Sequence, residues 1–357
     1  MTNKKKILFL LPYQFDEIAG QRFRCEHFYP LLREKEYQFE IRAFYDAEMH
    51  RIMYKPGHAL KKGFKVLSGF IRRIGHTFKS LKYDYVFIYR ELTPIGPPFF
   101  EWVISKVFRK KIIFDFDDAL WLPDENESAF KSLVKCKWKI KYLIKWSSVV
   151  SCGNPYLAEY AARFNVNVTV LPTVVNTRDS HFPRKLEKSE VPVIGWTGSH
   201  STLIYLDQMY HTLEKLRETK EFNFKVICNK KPPVDYPWLV YKEWTKDTEI
   251  EDLSEIDIGI MPLAETMWSE GKCGFKIIQY LALEIPAVAS PVGINQNLIK
   301  NGENGYLCST QDEWMNRLGE LLDDPEKRKK MGIAGRKEII ESYSVACASP
   351  IFLSLFE

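Results

Sequence analysis

The chain has no long apolar run. Its longest, such as Ile7–Pro12 and Ile256–Leu263, are strand-length, so no segment qualifies as a membrane-spanning helix. It has no low-complexity tract and no short-period repeat, which argues against a disordered chain and against a solenoid. No Cys-x-x-Cys pair is present. The seven cysteines are scattered and odd in number, which fits reduced, mostly buried thiols and neither a zinc site nor a disulfide frame. The opening "MTNKKKILFLLPYQFDE" has the basic start of a secretion signal, but its apolar run is short. No small-residue cleavage site precedes Asp16 and Glu17. The stretch reads as a first β-strand, and a cytoplasmic protein is expected.

What is present points to two folded domains. A chain of 357 residues is too long for one ordinary core. Its net charge of +5 conceals an asymmetry. Met1–Arg178 holds 30 Lys and Arg against 18 Asp and Glu, a net of +12, which leaves −7 for the remainder. The halves are therefore expected to face different partners.

The first half alternates short apolar strands with amphipathic helices. Strands are expected at Lys6–Leu11, Gln38–Phe44, Tyr83–Tyr89, Lys111–Phe116, Ser147–Cys152 and Val168–Leu171. Helices fit between them, at about Arg24–Glu34, Ala59–Lys79, Pro98–Phe108, Ala129–Trp146 and Pro155–Phe164. Near-continuous apolar strands separated by helices imply a parallel sheet covered on both faces. The polar "NTRDSHFPRKLEKSEVP" reads as a linker, after which strands and helices alternate again. The fold class expected is α/β, with two doubly wound Rossmann-like domains facing across a cleft. Their boundaries are set at 1–178 and 191–344, with a linker at 179–190 and a segment 345–357 packing back on the first domain. Such sheets bind ligands at the carboxyl ends of their strands.

The stretch "SEGKCGFKIIQYLALEIPAVASPVG", Ser269–Gly293, carries the most chemistry. At 100° per residue, Phe275, Ile278, Leu281 and Ala282 share one side of a helix. Lys272, Lys276 and Gln279 share the other. Two lysines four apart repel by roughly a few tenths of a kcal/mol unless an anion sits between them. The helix N-terminus adds free N–H groups, and Gly271 and Gly274 let a ligand approach the backbone. A diphosphate fits this seat, with Gln279 one turn deeper for a sugar or ribose hydroxyl. The plain alternative is a solvated lysine face.

Other motifs also fall at strand ends. In "GWTGSHST", Gly198 permits a tight turn, and Ser199, Ser201 or Thr202 can cap the next helix and offer N–H and OH groups to a phosphate. Simple capping accounts for them equally well, and His200 alone says little. In "GQRFRCEHFYPLL", Gly20, Arg22 and Arg24 are expected at the first sheet's edge, suited to an anionic acceptor or the donor phosphates. "YRELTP" places Arg90 and Glu91, and "DFDDALW" places Asp117 and Asp118, at two more strand ends. The Asp115-x-Asp117-Asp118 cluster has the composition of a Mg²⁺ or Mn²⁺ site. Asp117 or Asp118 is preferred here as an acceptor-hydroxyl contact or a loop-fixing group.

Between His50 and Asp84 there are nine Lys and Arg before the first acid. Leu60, Phe64, Leu67, Ile71, Ile74, Phe78 and Leu81 form an apolar stripe through this segment. "KSLVKCKWKIKYLIKW" repeats the theme. The stripes are expected to be the buried faces of helices covering a sheet. The surplus positive charge still needs a partner, and anionic lipid headgroups fit better than nucleic acid, for which no recognition motif is present.

The segment "QYLALEIPAVASPVG" resembles the end of the donor-binding region of family 4 retaining glycosyltransferases, two-domain enzymes of the GT-B fold. These typically show a Glu, seven residues, a second Glu, a small-residue helix end and Pro-Val-Val-Ala-Ser. "NLIKNGENGYLC" resembles the family's Asn-Gly-x-Asn-Gly turn, and "IDIGIMPL" the strand before the donor loop. "DEWMNRLGELLDDPEKRKKMGIAGRKEIIESYS" resembles its closing helices. The resemblance covers about Pro192–Ser344. It departs from the pattern at both carboxylates: the second Glu falls on Gln279, and the first on Gly271, beside Glu270. The Arg and Lys that often follow the first strand of the donor domain are replaced by "GWTGSHST".

The resemblance implies transfer of a sugar, with retention, from a nucleotide-diphosphate sugar to a cell-surface glycan or lipid-linked saccharide. That donor is a co-substrate, and neither a metal nor another cofactor is expected. The catalytic candidates are Lys272, Lys276, Glu270 and Asp118, with the lysines supplying phosphate charge. Donor contacts are expected from Gly198, Ser199, His200, Ser201, Thr202, Gly271, Cys273, Gly274, Phe275 and Gln279. Gly20, Arg22, Arg24, Arg90, Glu91 and Asp117 would face the acceptor or the phosphates. The basic helices of the first domain would meet the cytoplasmic face of an anionic membrane. Two other readings stay open: a nucleotide-sugar epimerase, and a non-catalytic binding partner of a transferase.

Overall fold

The structure is a computed structural model that describes residues 5–53, 55, 57–123, 128–184 and 190–357. Residues 185–189 of the expected linker lie outside the described residues. The chain forms two units, Met1–Thr173 with Ala348–Glu357, and Val174–Cys347.

The first unit is built on a parallel sheet of β1 (Lys6–Leu11), β2 (Gln38–Ala43), β3 (Tyr85–Tyr89), β4 (Lys111–Phe116), β5 (Val149–Cys152) and β6 (Val168–Val170). Their order is β2-β1-β3-β4-β5-β6. Sequences such as KILFLL and YVFIY make central strands because both faces of the sheet are covered. The helices are α1 (Ala19–Arg24), α2 (Tyr29–Glu34), α3 (Ala47–Met53), α4 (Ala59–Lys79), α5 (Phe99–Trp102), α6 (Ala129–Lys135), α7 (Lys139–Trp146) and α8 (Pro155–Ala162). The expected helix at 129–146 is broken in two by Cys136, whose φ of +53° is left-handed.

Topology assigns the faces. The steps β2→β3, β3→β4 and β4→β5 all run the same way across the sheet. Right-handed crossovers therefore put α4, α5, α6 and α7 on one face. The step β1→β2 runs the other way and sends α1 and α2 to the opposite face. Ala348–Glu357 joins them there. Phe352 stacks on Phe28 at 4.2 Å between ring centroids, and the Phe356 carbonyl accepts from Lys5 Nζ at 2.6 Å.

The second unit repeats the plan with β7 (Val193–Gly198), β8 (Asn223–Cys228), β9 (Leu239–Glu243), β10 (Ile258–Met261), β11 (Ala287–Ala289) and β12 (Gly305–Leu307). These are all parallel, in the order β12-β11-β10-β7-β8-β9. Its helices are α9 (Asp207–Arg217), α10 (Glu249–Ser254), α11 (Met267–Glu270), α12 (Phe275–Ala282), α13 (Asn295–Leu298), α14 (Gln311–Asp323), α15 (Pro325–Ser342) and α16, which spans Val345–Ser354 and runs on into the first unit's terminal segment. Trp196, Phe224, Ile258, Val288, Trp314 and Leu318 belong to one buried cluster on this sheet.

In α4 the boundaries match the sequence expectation and the buried side does not. Leu60, Phe64, Leu67, Ile71, Ile74, Phe78 and the following Leu81 are between 48% and 92% exposed. Gly69, Arg73 and Thr77 are buried instead. Gly69 allows close approach to Phe44, for a Cβ there would lie 2.7 Å from that ring. Arg73 is fully buried. It donates to the carbonyls of Leu92 at 2.9 Å, Arg42 at 3.1 Å and Leu11 at 2.7 Å. These oxygens lie at or just beyond the ends of β3, β2 and β1, where the sheet leaves carbonyls to be satisfied from outside. Rolling α4 to hide its apolar stripe would withdraw that guanidinium. In α7, by contrast, Ile140, Leu143 and Ile144 are buried as their spacing predicts.

Arg73→Met should therefore lower the stability of the first unit by about 2–4 kcal/mol, because the carbonyls of Leu92, Arg42 and Leu11 each lose a charged donor, Leu11 keeping only the Phe44 N–H. Lys61→Ala, which removes an exposed partner of Glu48, should leave stability nearly unchanged. Urea unfolding of both variants checks this; similar midpoints would show that the Arg73 anchor contributes little.

Candidate functional site

In the second unit the strand order reverses between β7 and β10. The chain leaves β7 toward β8 and β9, then returns to β10 on the other side. In doubly wound sheets the loops at such a point diverge, and ligands bind at the carboxyl edge there. α12 lies against it. The Tyr280 hydroxyl accepts from the Thr197 N–H at 3.0 Å, and Lys276 Nζ sits 5.4 Å from the Trp196 ring centroid. Lys272 Nζ lies 4.8 Å from the ring of Trp268.

The glycines set the approach. Gly274 is the N-cap of α12 with φ +65°, and no side chain caps the helix there. A Cβ at Gly274 would strike Leu298. The first-turn N–H groups of α12 thus lie beside Phe275 and Lys276, where the helix dipole is positive. Glu270 ends α11. Gly271 and Cys273 are buried in the loop that joins it to α12.

The turn after β7 is built by its own hydroxyls. Ser199 O accepts from Thr202 N at 2.9 Å and from Thr202 Oγ1 at 3.0 Å, while the Ser199 and Ser201 hydroxyls lie 2.8 Å apart. His200 N donates to Asn229 Oδ1 at 2.8 Å, tying this turn to the end of β8. Gly198 packs directly against Trp196 and Thr202. The residues Gly198–Thr202 and Lys272–Lys276 are thus gathered at one edge of one sheet.

Gln279 is placed otherwise than its spacing predicts. It is 2% exposed, and its Nε2 donates to Glu249 Oε1 at 3.1 Å. Glu249 also accepts from Trp244 Nε1 at 3.3 Å. The physical reason is enclosure. Ile277–Ala282 are all buried, with the sheet on one side and α15 on another, where Gly335 packs against Leu281. Sequence reading also missed Trp196, Trp268, Asn229 and Glu249. The position of Asn229 just past a strand end was a usable signal; nothing in the sequence separates Glu249 from Glu251.

The first unit collects charged groups at the carboxyl ends of β1, β3 and β4. Arg90 Nε donates to Asp117 Oδ1 at 2.8 Å, and its terminal nitrogen to Asp118 Oδ2 at 2.6 Å. The Tyr89 hydroxyl donates to Asp117 at 3.0 Å. A Cβ on Gly20 would lie 2.6 Å from that hydroxyl, so this position presses on the cluster. Arg90 has φ +61°, a strained value for a non-glycine residue. Burial pushes the Asp117 carboxyl up, but Arg90 outweighs it and holds the pKa below the usual range.

Arg24, expected to face a ligand, instead points into the unit and is fully buried. It grips Asp115 through Nε at 3.0 Å and a terminal nitrogen at 2.5 Å, and Ser151 Oγ donates to the same carboxylate at 2.5 Å. Glu91 pairs with Lys139 at 2.7 Å, and Lys139 also donates to the Thr93 carbonyl. The carboxylates of Asp115, Asp117 and Asp118 thus serve guanidinium partners, a use that competes with cation binding. Arg22 lies over the Phe23 ring at 4.8 Å.

Glu26 escaped sequence reading because no spacing marks it. It is almost wholly buried, accepting from Gln21 Nε2 at 2.5 Å and Asp16 N at 2.8 Å, and so fixes the loop after β1. Burial pushes its carboxyl from 4.5 up to about 7. The fold therefore favours the protonated form. Its destabilising effect is absent below the unfolded value, grows as pH rises from 4.5 to about 7, and is complete above that. Glu26→Gln should be more stable than the parent by about 1–3 kcal/mol at pH 8 and nearly equal to it at pH 5. Thermal unfolding across that range checks this, and a pH-independent gap would remove the role given to the buried carboxyl.

Residues 244–338, which include α10 to α14 and most of α15, match the family model described as glycosyl transferases group 1. Solved structures resemble the whole chain. A sucrose-phosphate synthase from Thermosynechococcus elongatus has a TM-score of 0.70 at 12% identity, covering 99% of this chain and 98% of that one. A glycosyltransferase from Rickettsia africae has a TM-score of 0.70 at 15% identity, with the same coverage. The Anabaena protein HepE, solved with UDP and glucose, has a TM-score of 0.68 at 12% identity and covers 99% of both chains. A search of curated proteins returns no match. The structural likeness identifies the architecture as GT-B, two Rossmann-like domains, and the family match supports a glycosyltransferase of the GT-B superfamily.

Proposed function

We propose that the protein moves a sugar, with retention of configuration, from a nucleoside-diphosphate sugar to a glycan or lipid-linked saccharide. The observation that carries this reading is the set of positive groups at the β7–β10 crevice. Lys276 lies over Trp196 of β7, Lys272 lies over Trp268, and no side chain caps the N-terminus of α12 between them in sequence. As the bond to the sugar breaks, the leaving diphosphate gains negative charge. Cationic and N–H groups placed in advance stabilise that charge most where it develops. They supply the positive charge themselves, and the reading assigns no metal to the diphosphate.

Glu270, just before the lysine loop, is assigned to sugar hydroxyls. Gln279 takes a supporting part, since its bond to Glu249 ties α12 to α10. The Gly198–Thr202 turn offers hydroxyls and N–H groups on the other bank of the crevice. No protein nucleophile is assigned; a retaining reaction in which the acceptor attacks the face the diphosphate leaves requires none. In the first unit, Arg90 with Asp117 and Asp118, next to Gly20 and Arg22, is assigned to the acceptor. A lipid-linked acceptor would bring this unit to the cytoplasmic side of a membrane.

UDP is the first nucleotide to test, because the HepE structure contains it. Calorimetry with UDP, GDP, ADP, CMP and dTDP should show one diphosphate bound selectively. Lys272→Ala and Lys276→Ala should each weaken it by about 1–2 kcal/mol, a charge-assisted contact apiece. Unchanged affinity in both variants would make the lysines surface groups. Selective binding with neither hydrolysis nor transfer of the matching sugar nucleotide would favour a non-catalytic partner.

A further inference from the structure

We propose that α4 and the helices beside it dock the first unit on an anionic lipid bilayer, with the α4 stripe entering the headgroup layer. This deepens the membrane-side acceptor reading and rests on it only for its purpose; the geometry belongs to the first unit alone. α4 has 21 residues, a length of about 31 Å. Its exposed apolar side chains from Leu60 to Phe78 fall within about 80° of arc at 100° per residue. A stripe of that shape on water is an interaction surface rather than scattered exposure.

The helix cannot bury the stripe by turning. Arg73 holds three carbonyls and Gly69 abuts Phe44 on the opposite side. The stripe also has company on its face of the sheet. Phe99, Trp102, Phe130 and Trp138 are between 43% and 74% exposed on α5, α6 and the turn into α7. Phe70 and Phe100 approach at 6.3 Å, and Phe78 and Phe108 at 5.7 Å, so α4 adjoins the Phe99–Phe108 segment. Aromatic rings flanked by bases are the composition of a helix lying in a membrane interface.

Charge selects the occupant. Residues 59–79, 99–107 and 129–146 hold 13 Lys and Arg, of which Arg73 and Lys139 are buried, and a single acid, Glu101, which is also buried. Lys61, Lys65, Arg72 and Lys79 border the stripe and, among the described residues, share three carboxylates, Glu40, Asp46 and Glu48. The border therefore stays positive. A second copy of this face would bring like charges together. Nucleic acid would meet the bases and leave the stripe in water. An anionic bilayer satisfies both, with acyl chains for the stripe and headgroups for the lysines.

The test uses the whole chain, vesicles of equal parts phosphatidylglycerol and phosphatidylcholine, and vesicles of phosphatidylcholine alone. Co-sedimentation should show binding to the anionic vesicles about tenfold tighter than to the neutral ones. Replacing Phe64, Ile71 and Phe78 together by Ser should weaken that binding by at least about tenfold and leave UDP affinity unchanged. If the triple variant folds poorly, Phe64→Ser alone should show a smaller loss in the same direction. No binding by the parent, or equal binding by the variants, overturns the proposal. So does a parent that self-associates through the stripe, seen as a monomeric triple variant with neither form on vesicles. Nucleotide titrations on the same samples keep the two readings apart: vesicle binding with none of the five nucleotides bound would retain the docking face and remove the donor site.

Discussion

Carbonyl groups at the carboxyl edge of a parallel sheet run out of strand partners, and buried guanidinium groups meet that shortage in the first unit. Arg73 takes three oxygens at or just beyond the ends of β1, β2 and β3. Arg24 reaches Asp115 on β4 and the carbonyl of Leu171 just after β6. Each is wholly buried, so neither can be removed without leaving polar groups unsatisfied in a dry interior. The rest of the unit follows from where these side chains must sit. Arg73 decides which side of α4 meets the sheet, and Arg24 ties α1 to the middle strands.

Much of the fold was legible because its signals are one-dimensional. Apolar runs such as ILFLL and YVFIY mark central strands, and α4 begins and ends where its periodicity does. The strands β9 and β12 were not legible. β9 is a half-exposed edge, LVYKE, and β12 has three residues. The failure at α4 is more instructive. Periodicity tells which residues share a side of a helix, not which side faces the sheet. Gly69, Arg73 and Thr77, four apart, carried the opposite message, but a buried arginine is recognisable only once its carbonyl partners have positions.

The candidate sites divide in the same way. The gathering of Gly198–Thr202 with Lys272 and Lys276 was readable, because strand ends in a doubly wound sheet share an edge. The burial of Gln279 was not, since it depends on α15 and α10 packing around α12. Arg24, the last residue of α1, and Arg90, just past β3, each lie near an acid in sequence. One became a structural brace, while the other stays partly exposed with two carboxylates. The charge division between the halves has a local counterpart. Many bases of the first unit lie on α4, α6 and α7, while the second unit, acidic in total, places Lys272 and Lys276 next to and on α12.

The last ten residues belong to the first unit although 174 residues of the second precede them. Phe352 and Phe356 lie against Phe28, Phe87 and Tyr85, all part of the first unit's core. During synthesis, therefore, the first unit emerges from the ribosome with that patch uncovered, and the second unit is free to finish first. A chain cut short near its end would lose core from the domain farthest from the cut in sequence. Order of synthesis and order of completion are thus reversed, with the earliest-made sheet sealed last.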